Sequence, residues 1–388
     1  MVPLSYNLRS LAVRKTTTLA TALGIALVVF VLASVLMLSN GIRGTLERAG
    51  SEDVAIVLRK GSDTEMSSGI EDANVGVVAS AKEVKRRGDG QPDAVGEVVV
   101  VVALDKKGTE GVSNVTVRGV PDDVFAFRPE ARIVAGRAAR PGGAEVVIGK
   151  GVRGNFKGVE LGQSFELRKN RPVQVVGVFE ANGSSYESEA WGDLNAVRTA
   201  FGREEMVSSI RVRLESPAKL DAFAVGVEQN KQLGLEVMRE AEYLEKQSEG
   251  TAIFIQAMGT VIAVLFSIGA MIGAMITMYA AVAHRRREIG TLRALGFSRA
   301  SILFSFIVES VLLALGGGLV GAGASLLMTF ARFSTMNFTS WSEISFSFDA
   351  TPGIIGGSLA FAAAMGLLGG LLPAVRAARM PPVQAMRA

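Results

Sequence analysis

Residues 251–299 read TAIFIQAMGTVIAVLFSIGAMIGAMITMYAAVA (251–283) followed by HRRREIGTLRALGFSR (284–299). The first part is 33 residues without a charge; the second places three arginines directly after its only histidine. An α-helix rises ~1.5 Å per residue and a bilayer core is ~30 Å thick, so this run makes a rod of about 50 Å, which must tilt or project beyond the membrane. A basic cluster at the end of such a rod marks the side on which that end stays.

Three further runs of the same kind lie along the 388 residues. Thr16 to Asn40 is uncharged, Ala300 to Ala331 is interrupted only by Glu309, and Ala350 to Val375 is uncharged. The first run is too long for the roughly 7–15 apolar residues of a secretory leader, and Met37-Leu38-Ser39-Asn40 at its end is no small-x-small cleavage site. The whole chain is 49% hydrophobic and 20% charged, with a mean hydropathy of +0.34, which excludes an ordinary soluble enzyme and a disordered chain. It has no cysteine, so disulfides, thiolate metal sites and cysteine nucleophiles are excluded.

The charges assign the sides. Arg9, Arg14 and Lys15 precede the first run; Arg285, Arg286, Arg287, Arg293 and Arg299 against Glu288 follow the second; Arg376, Arg379 and Arg387 follow the fourth. These three regions total +10, whereas residues 41–250 hold 29 basic and 33 acidic side chains. The positive-inside rule therefore gives four crossings, both termini cytoplasmic and residues 41–250 outside. The basic balance is a topology signal rather than a nucleic-acid footprint. Membrane lipid is the implied surroundings, in the cell membrane or, in a Gram-negative cell, the inner membrane. The expected order is cytoplasmic segment 1–16, transmembrane helix 17–40, domain 41–250 with stalk ends, helix 251–283, cytoplasmic loop 284–299, helix 300–331, external loop 332–349, helix 350–375 and cytoplasmic tail 376–388. The fold class is an α+β membrane protein: four transmembrane helices with a large extracytoplasmic α+β domain inserted between helices 1 and 2.

Within that domain, Val54–Leu58, Val98–Ala103, Val115–Val117, Glu145–Ile148, Val173–Phe179 and Ile210–Leu214 read as strands, being β-branched or aromatic and bounded by turn formers. Asp193 opens a helix to Phe201, and Ser216-Pro217 precedes another over Ala218–Gln229. Glu240–Glu249 runs into the second apolar segment without a breaker, and Gly41–Ala49 leaves the first with none stronger than Gly41. Both stretches fit helical stalks, the alternative being flexible linkers.

Reactive constellations are missing. No Gly-x-x-x-x-Gly-Lys-Ser/Thr loop occurs. Gly316, Gly318 and Gly321 match Gly-x-Gly-x-x-Gly, but inside an apolar run; with Gly317/Gly321, Gly269/Gly273, Gly353/Gly357 and Gly366/Gly370 they read as close helix packing. His284, the only histidine, has neither a cysteine nor a second histidine to share a metal and suits a helix end. Glu309 is the one ionisable group well inside an apolar run, where a charge costs roughly 2.5–3.5 kcal/mol on insertion scales. It requires a partner, a protonated state or water: a proton or substrate site satisfies this, as does an interhelical hydrogen bond or a snorkel to the cytoplasmic face. In the basic loop, Ile289, Leu292 and Leu295 are three apart and form an apolar ridge on a short helix, with Gly296 as its stop. Such a ridge among arginines suits docking into a partner's groove.

The loop Arg286-Arg287-Glu288-Ile289-Gly290-x-Leu292-Arg293-Ala294-Leu295-Gly296 resembles the coupling segment of MacB/FtsX-like ABC transporter permeases. The tail Leu371-Leu372-Pro373-Ala374-x-Arg376-Ala377-Ala378-Arg379-x-Pro381-x-x-x-Ala385 is similar to the end of that family, and Asn7-Leu8-Arg9, Gly24-Ile25 and Ser39-Asn40-Gly41 to its start. Glu145–Gly149 and Phe179–Trp191 resemble its extracytoplasmic core domain. The resemblance implies a non-catalytic permease without a cofactor of its own. Two copies, or one copy and a paralogue, would pair with two ABC ATPase subunits that bind ATP and Mg. MacB carries a fused ATPase, so the ATPase here is expected on a separate polypeptide. The resemblance further implies mechanotransmission for efflux or substrate release, with a periplasmic adaptor and an outer-membrane channel as further partners. Its alternatives are an FtsX-like permease that activates an extracytoplasmic hydrolase or adaptor, and a lipoprotein-release permease of the LolC/LolE type.

Overall fold

The structure, a computed structural model, describes residues 15–337 and 341–381. The Asn7-Leu8-Arg9 motif and the tail residues Ala385 and Arg387 lie outside these. In chain order the elements are α1 (Lys15–Glu47), β1 (Val54–Arg59), β2 (Ile70–Glu71), α2 (Asp72–Ala79), β3 (Ala94–Asp105), β4 (Val112–Val120), α3 (Val124–Phe127), β5 (Arg132–Gly136), β6 (Glu145–Gly149), β7 (Ser164–Arg168), β8 (Arg171–Glu180), β9 (Glu189–Asp193), α4 (Leu194–Phe201), β10 (Met206–Val207), β11 (Ser209–Arg213), α5 (Leu220–Glu228), β12 (Leu235–Arg239), α6 (Glu240–His284), α7 (Arg286–Ala294), α8 (Arg299–Leu326), β13 (Arg332–Met336), β14 (Glu343–Ser347) and α9 (Pro352–Ala378). Two units result. A helical unit takes the described parts of Met1–Asn40, Ile253–Ala331 and Phe348–Ala388; an α+β unit takes Gly41–Ala252 and Arg332–Ser347.

In the α+β unit a ten-stranded sheet has the order β12-β1-β11-β3-β4-β9-β6-β8-β5, with β7 paired to β8. It is mixed: β4–β9 and β6–β8 are parallel and the other pairs antiparallel. All six strands expected from the β-branched runs are present. Asp193 caps α4, its side chain accepting from the Ala196 N–H at 2.8 Å. Pro217 opens a 3₁₀ turn before α5. One apolar core packs Val197 and Ala200 of α4 against Val98, Val117, Val146 and Val175; another packs Phe223 and Val227 of α5 against Ala55, Val57, Ile210 and Val212. The two junctions to the apolar runs are helical, not linker-like. The last turn of α1 gives Leu46 and the first turns of α6 give Tyr243 and Leu244 to a third core, with Phe179, Tyr186 and Trp191.

Residues 332–349, expected as a loop, contain the β13–β14 hairpin, which packs on the α+β unit. Ile344 enters the third core, Lys106 pairs with Glu343 at 3.0 Å, and the Ser345 N–H donates to Ser188 Oγ at 2.9 Å.

A buried ionic lattice ties the strands together. Arg118 on β4 donates to Glu189 on β9 at 2.7 Å, to Glu97 on β3 at 2.9 Å and to Glu65 at 3.0 Å. Arg211 on β11 donates to Glu97 at 2.7 Å, to Glu65 at 2.8 Å and to Glu240, the first residue of α6, at 2.7 Å. Arg128 closes on Glu97, and Trp191 Nε1 donates to Glu189 at 2.8 Å. Burial pushes the Glu97 carboxyl up, but Arg128, Arg211 and Arg118 outweigh it and hold it at about 2. Burial opposes Arg118 and Arg211 in the same way at Glu65, which also ends well below the usual carboxylate range.

In the helical unit, glycines set helix spacing. A Cβ on Gly321 would stand 2.2 Å from the Ala26 carbonyl oxygen and one on Gly317 2.5 Å from that of Ala22, so α8 lies directly against α1. Gly366 and Gly370 bring α9 equally close to Ala314 and Ser310 of α8. Among the described residues, the pairs Gly269/Gly273 and Gly353/Gly357 have no such neighbour.

The lattice has an acid limit. Glu65 and Glu97 have lowered folded-state values, so their stabilisation is complete above the ordinary value of 4.5 and is lost as pH falls toward about 2. The full-length chain in detergent should keep Trp191 fluorescence typical of a buried indole at pH 6–8 and lose it between about pH 4.5 and 2. Glu97→Gln, which leaves buried arginines undercompensated, should destabilise by roughly 3–5 kcal/mol at pH 7 in denaturant titrations.

Candidate functional site

The site expected at residues 286–296 is a formed helix, α7, and its ends are explained by its sequence. Arg285 breaks from the preceding helix, at φ −105° and ψ 14°. At the other end Gly296 adopts φ +93°, a conformation that glycine alone takes without strain. Its N–H donates to the Arg293 carbonyl at 3.2 Å and that of Phe297 to the Leu292 carbonyl at 3.1 Å, the two bonds of a Schellman stop. Arg293 Nη1 donates to the Phe297 carbonyl at 2.9 Å, a cation at a helix C-terminus.

The apolar ridge does not face one way. Ile289 is 2% exposed and buried among Met278, Ala281 and Val282 of α6, Ile302 and Phe306 of α8, and Ala374, Ala377 and Ala378 of α9. Leu292 is half-buried against the same cluster, whereas Leu295 is 72% exposed. The reason is geometric: a step of three residues falls about 60° short of a full turn, so two steps carry the ridge about 120° around the helix. The expectation of three knobs docking into a partner is corrected. Ile289 seats α7 on its own chain, and the solvent face holds Arg287, Glu288, Thr291, Ala294 and Leu295, with Arg286 also exposed. Gly290 is buried and Arg293 half-buried. Ala374, Ala377 and Ala378 of the tail motif belong to α9 and form part of the seat.

Glu309 has a partner that the sequence did not reveal. Arg285 donates from Nε to Glu288 at 2.7 Å and from Nη1 to Glu309 at 3.0 Å, and its guanidinium lies 5.5 Å from the Phe306 ring centroid. The Glu309 carboxylate also borders a small cavity lined by Thr17, Thr18, Thr21, Thr277 and Ser310. Thr21 Oγ1 of α1 donates to Thr277 Oγ1 of α6 at 3.0 Å, and Ser310 Oγ of α8 to the Gly366 carbonyl of α9 at 2.7 Å. Polar groups thus cross three helix pairs at this end of the unit. In the sequence Arg285 is only one of the basic residues of the loop. It stands 24 positions from Glu309, and no periodicity links the two.

Among the described residues, no group of three or more His, Asp or Glu side chains could hold a metal. Four helices, Lys15–Glu47, Glu240–His284, Arg299–Phe330 (α8 with its 3₁₀ extension) and Pro352–Ala378, are long and apolar enough to cross a membrane.

Two family models match. Residues 17–230 fit the MacB-like periplasmic core domain, and residues 260–382, which include α7 and Glu309, fit the FtsX-like permease C-terminal region. The chain belongs to the MacB/FtsX-like family of ABC transporter permeases. This permease is 27% identical to the ABC transporter permease YvrN of Bacillus subtilis (strain 168) over 409 aligned residues, 99% of this chain and 96% of that one. It is 29% identical to the B. subtilis permease YknZ over 231 residues, 56% of this chain and 54% of YknZ. To the macrolide export ATP-binding/permease protein MacB of Neisseria gonorrhoeae it is 28% identical over 236 residues, 58% of this chain and 35% of MacB. The permease thus spans about half the length of YknZ and about a third of that of MacB. Among solved structures, the extracellular domain of YknZ matches 48% of this chain at 18% identity with a TM-score of 0.36, all of that domain being covered. The periplasmic region of MacB from Actinobacillus actinomycetemcomitans matches 52% of this chain, and 95% of its own, at 12% identity with a TM-score of 0.38.

The packing of α7 separates two substitutions. Ile289→Asp places an unpaired charge among apolar side chains and should lower the stability of the detergent-solubilised permease by roughly 2–5 kcal/mol. Leu295→Asp, on the solvent face, should change it by less than about 0.5 kcal/mol. Thermal unfolding midpoints of the two variants check this.

Proposed function

We propose that this permease relays ATP-driven motion of an ABC ATPase subunit to its α+β domain, and that the relay serves efflux or release of a substrate. The observation that carries the reading is α7. It is a short helix with a charged outer face and one protruding leucine, seated by Ile289 on the ends of three membrane-spanning helices, and joined through Arg285 to α6. A push on such a helix acts on α6, α8 and α9 together, because a close-packed seat does not deform continuously. α6 then runs unbroken for 45 residues to Glu240.

In this reading the basic regions lie in the cytoplasm, both termini with them, and the α+β domain lies across the membrane. Two copies, or a copy and a paralogue, work with two ATPase subunits. In this reading ATP and Mg bind on those ATPase subunits. The permease performs no chemistry itself. Relatives named for macrolide and pyoverdine export support outward transport of a substrate. An adaptor and an outer-membrane channel complete the path where an outer membrane exists.

Co-purification tests the ATPase contact. Wild-type permease should retain its ATPase subunit through affinity purification, and Leu295→Asp should weaken that binding about tenfold or more, equivalent to ~1.4 kcal/mol, without altering permease yield. Equal retention by both proteins would refute α7 as the contact.

A further inference from the structure

We propose that Arg285 and Glu309 are positioning residues: their ion pair fixes α7 against α8 so that force on α7 enters the membrane helices instead of being lost in rotation of α7. The proposal rests on the reading of α7 as the ATPase contact and adds the element that makes the contact mechanically effective. Arg285 occupies the junction between α6 and α7, and its side chain is 11% exposed. One residue joins three helices. Its backbone ends the turn after α6, its Nε holds Glu288 of α7 at 2.7 Å, and its Nη1 holds Glu309 of α8 at 3.0 Å.

The two carboxylates differ in setting. Glu288 is 44% exposed and Glu309 4%. In a surface-like medium an ion pair is soft and screened, but beside a carboxylate removed from water the attraction rises steeply as the dielectric falls. The Arg285–Glu309 pair is therefore the stiff arm and Arg285–Glu288 the compliant one. Ile289 and the half-buried Leu292 seat α7 through apolar contacts, which are non-directional and resist separation more than rotation. The pair adds a directional contact about one helical turn from Ile289, and this opposes the rotation. The planar fork matters: guanidinium reaches two carboxylates in fixed directions, which an ammonium does not. This gives Glu309 a role without a proton path: it receives the fork.

The test uses the full-length permease with its ATPase subunit in lipid nanodiscs. The native chain has no cysteine, so Thr291→Cys on the exposed face of α7 carries a single spin label. Expected in Glu309→Gln is a more mobile label, unchanged half-saturation by the ATPase subunit, and maximal ATP turnover of the complex reduced about tenfold, within the usual range of coupling between sites. Arg285→Lys keeps the charge that orients the loop, yet should show the same loss. Glu309→Asp should recover part of it, and the double variant Arg285→Gln/Glu309→Gln should be no worse than either single change. Wild-type label mobility and turnover in Arg285→Lys, or additive losses in the double variant, would overturn the proposal. Should Glu309→Gln not insert, Arg285→Lys decides alone. Failure of the underlying reading looks different: Leu295→Asp would then bind the ATPase subunit as tightly as wild type.

Discussion

The carboxylate of Glu240 fastens the first turn of α6 into the α+β unit, and the buried charges of the sheet converge on the same lattice. Arg211 donates to it at 2.7 Å, the Tyr186 hydroxyl at 3.1 Å and the Ser51 N–H at 3.2 Å. Arg211 is itself fully buried and shared with Glu65 and Glu97. A charge so far from water is tolerable only with its partners in place, so the start of α6 has one register relative to β11 and β3. A purely apolar contact at this point would permit sliding, since burial is non-directional. Directional charge pairs forbid it.

The other end of the same helix is treated alike. Arg285, immediately after His284, binds one carboxylate on α7 and one on α8. Between the two fastened ends α6 carries no charge from Thr251 to Ala283. In the proposed relay, displacement would pass along this helix between its two ion-paired ends. The glycine faces of α8 and α9 serve the remaining helices differently. They let backbones meet at distances that any Cβ would prevent, replacing the hydrophobic drive that lipid does not provide.

The membrane segments, the α+β class and six strands were legible because each is a run of one physical character. What stayed hidden depended on pairing across sequence. β9, Glu189-Ala190-Trp191-Gly192-Asp193, is entirely buried, yet its two acids give it the composition of a loop; it is a strand because Arg118 neutralises Glu189 and Asp193 caps α4. β5 is short and largely exposed, β2 and β10 have two residues each, and the β13–β14 hairpin lies in what composition reads as a connector. In α7 the spacing of Ile289, Leu292 and Leu295 was visible, but which of them the chain keeps for itself depended on α6, α8 and α9 closing over Ile289. In the sequence Arg285 belongs to the basic loop and Glu309 to an apolar run; only the fold makes them one feature.

In the proposed relay, ATP bound on a partner subunit moves the far end of α6. Glu249 is exposed near that end, in a chain without cysteine, and Glu249→Cys can be modified by a membrane-impermeant maleimide added from outside intact vesicles containing the permease and its ATPase. The account predicts that trapping the ATPase in its ATP-bound state changes the labelling rate several-fold, and that Arg285→Lys abolishes the change. An identical rate in the nucleotide-free and trapped states, or a thiol at this position reachable only after the membrane is permeabilised, would contradict it.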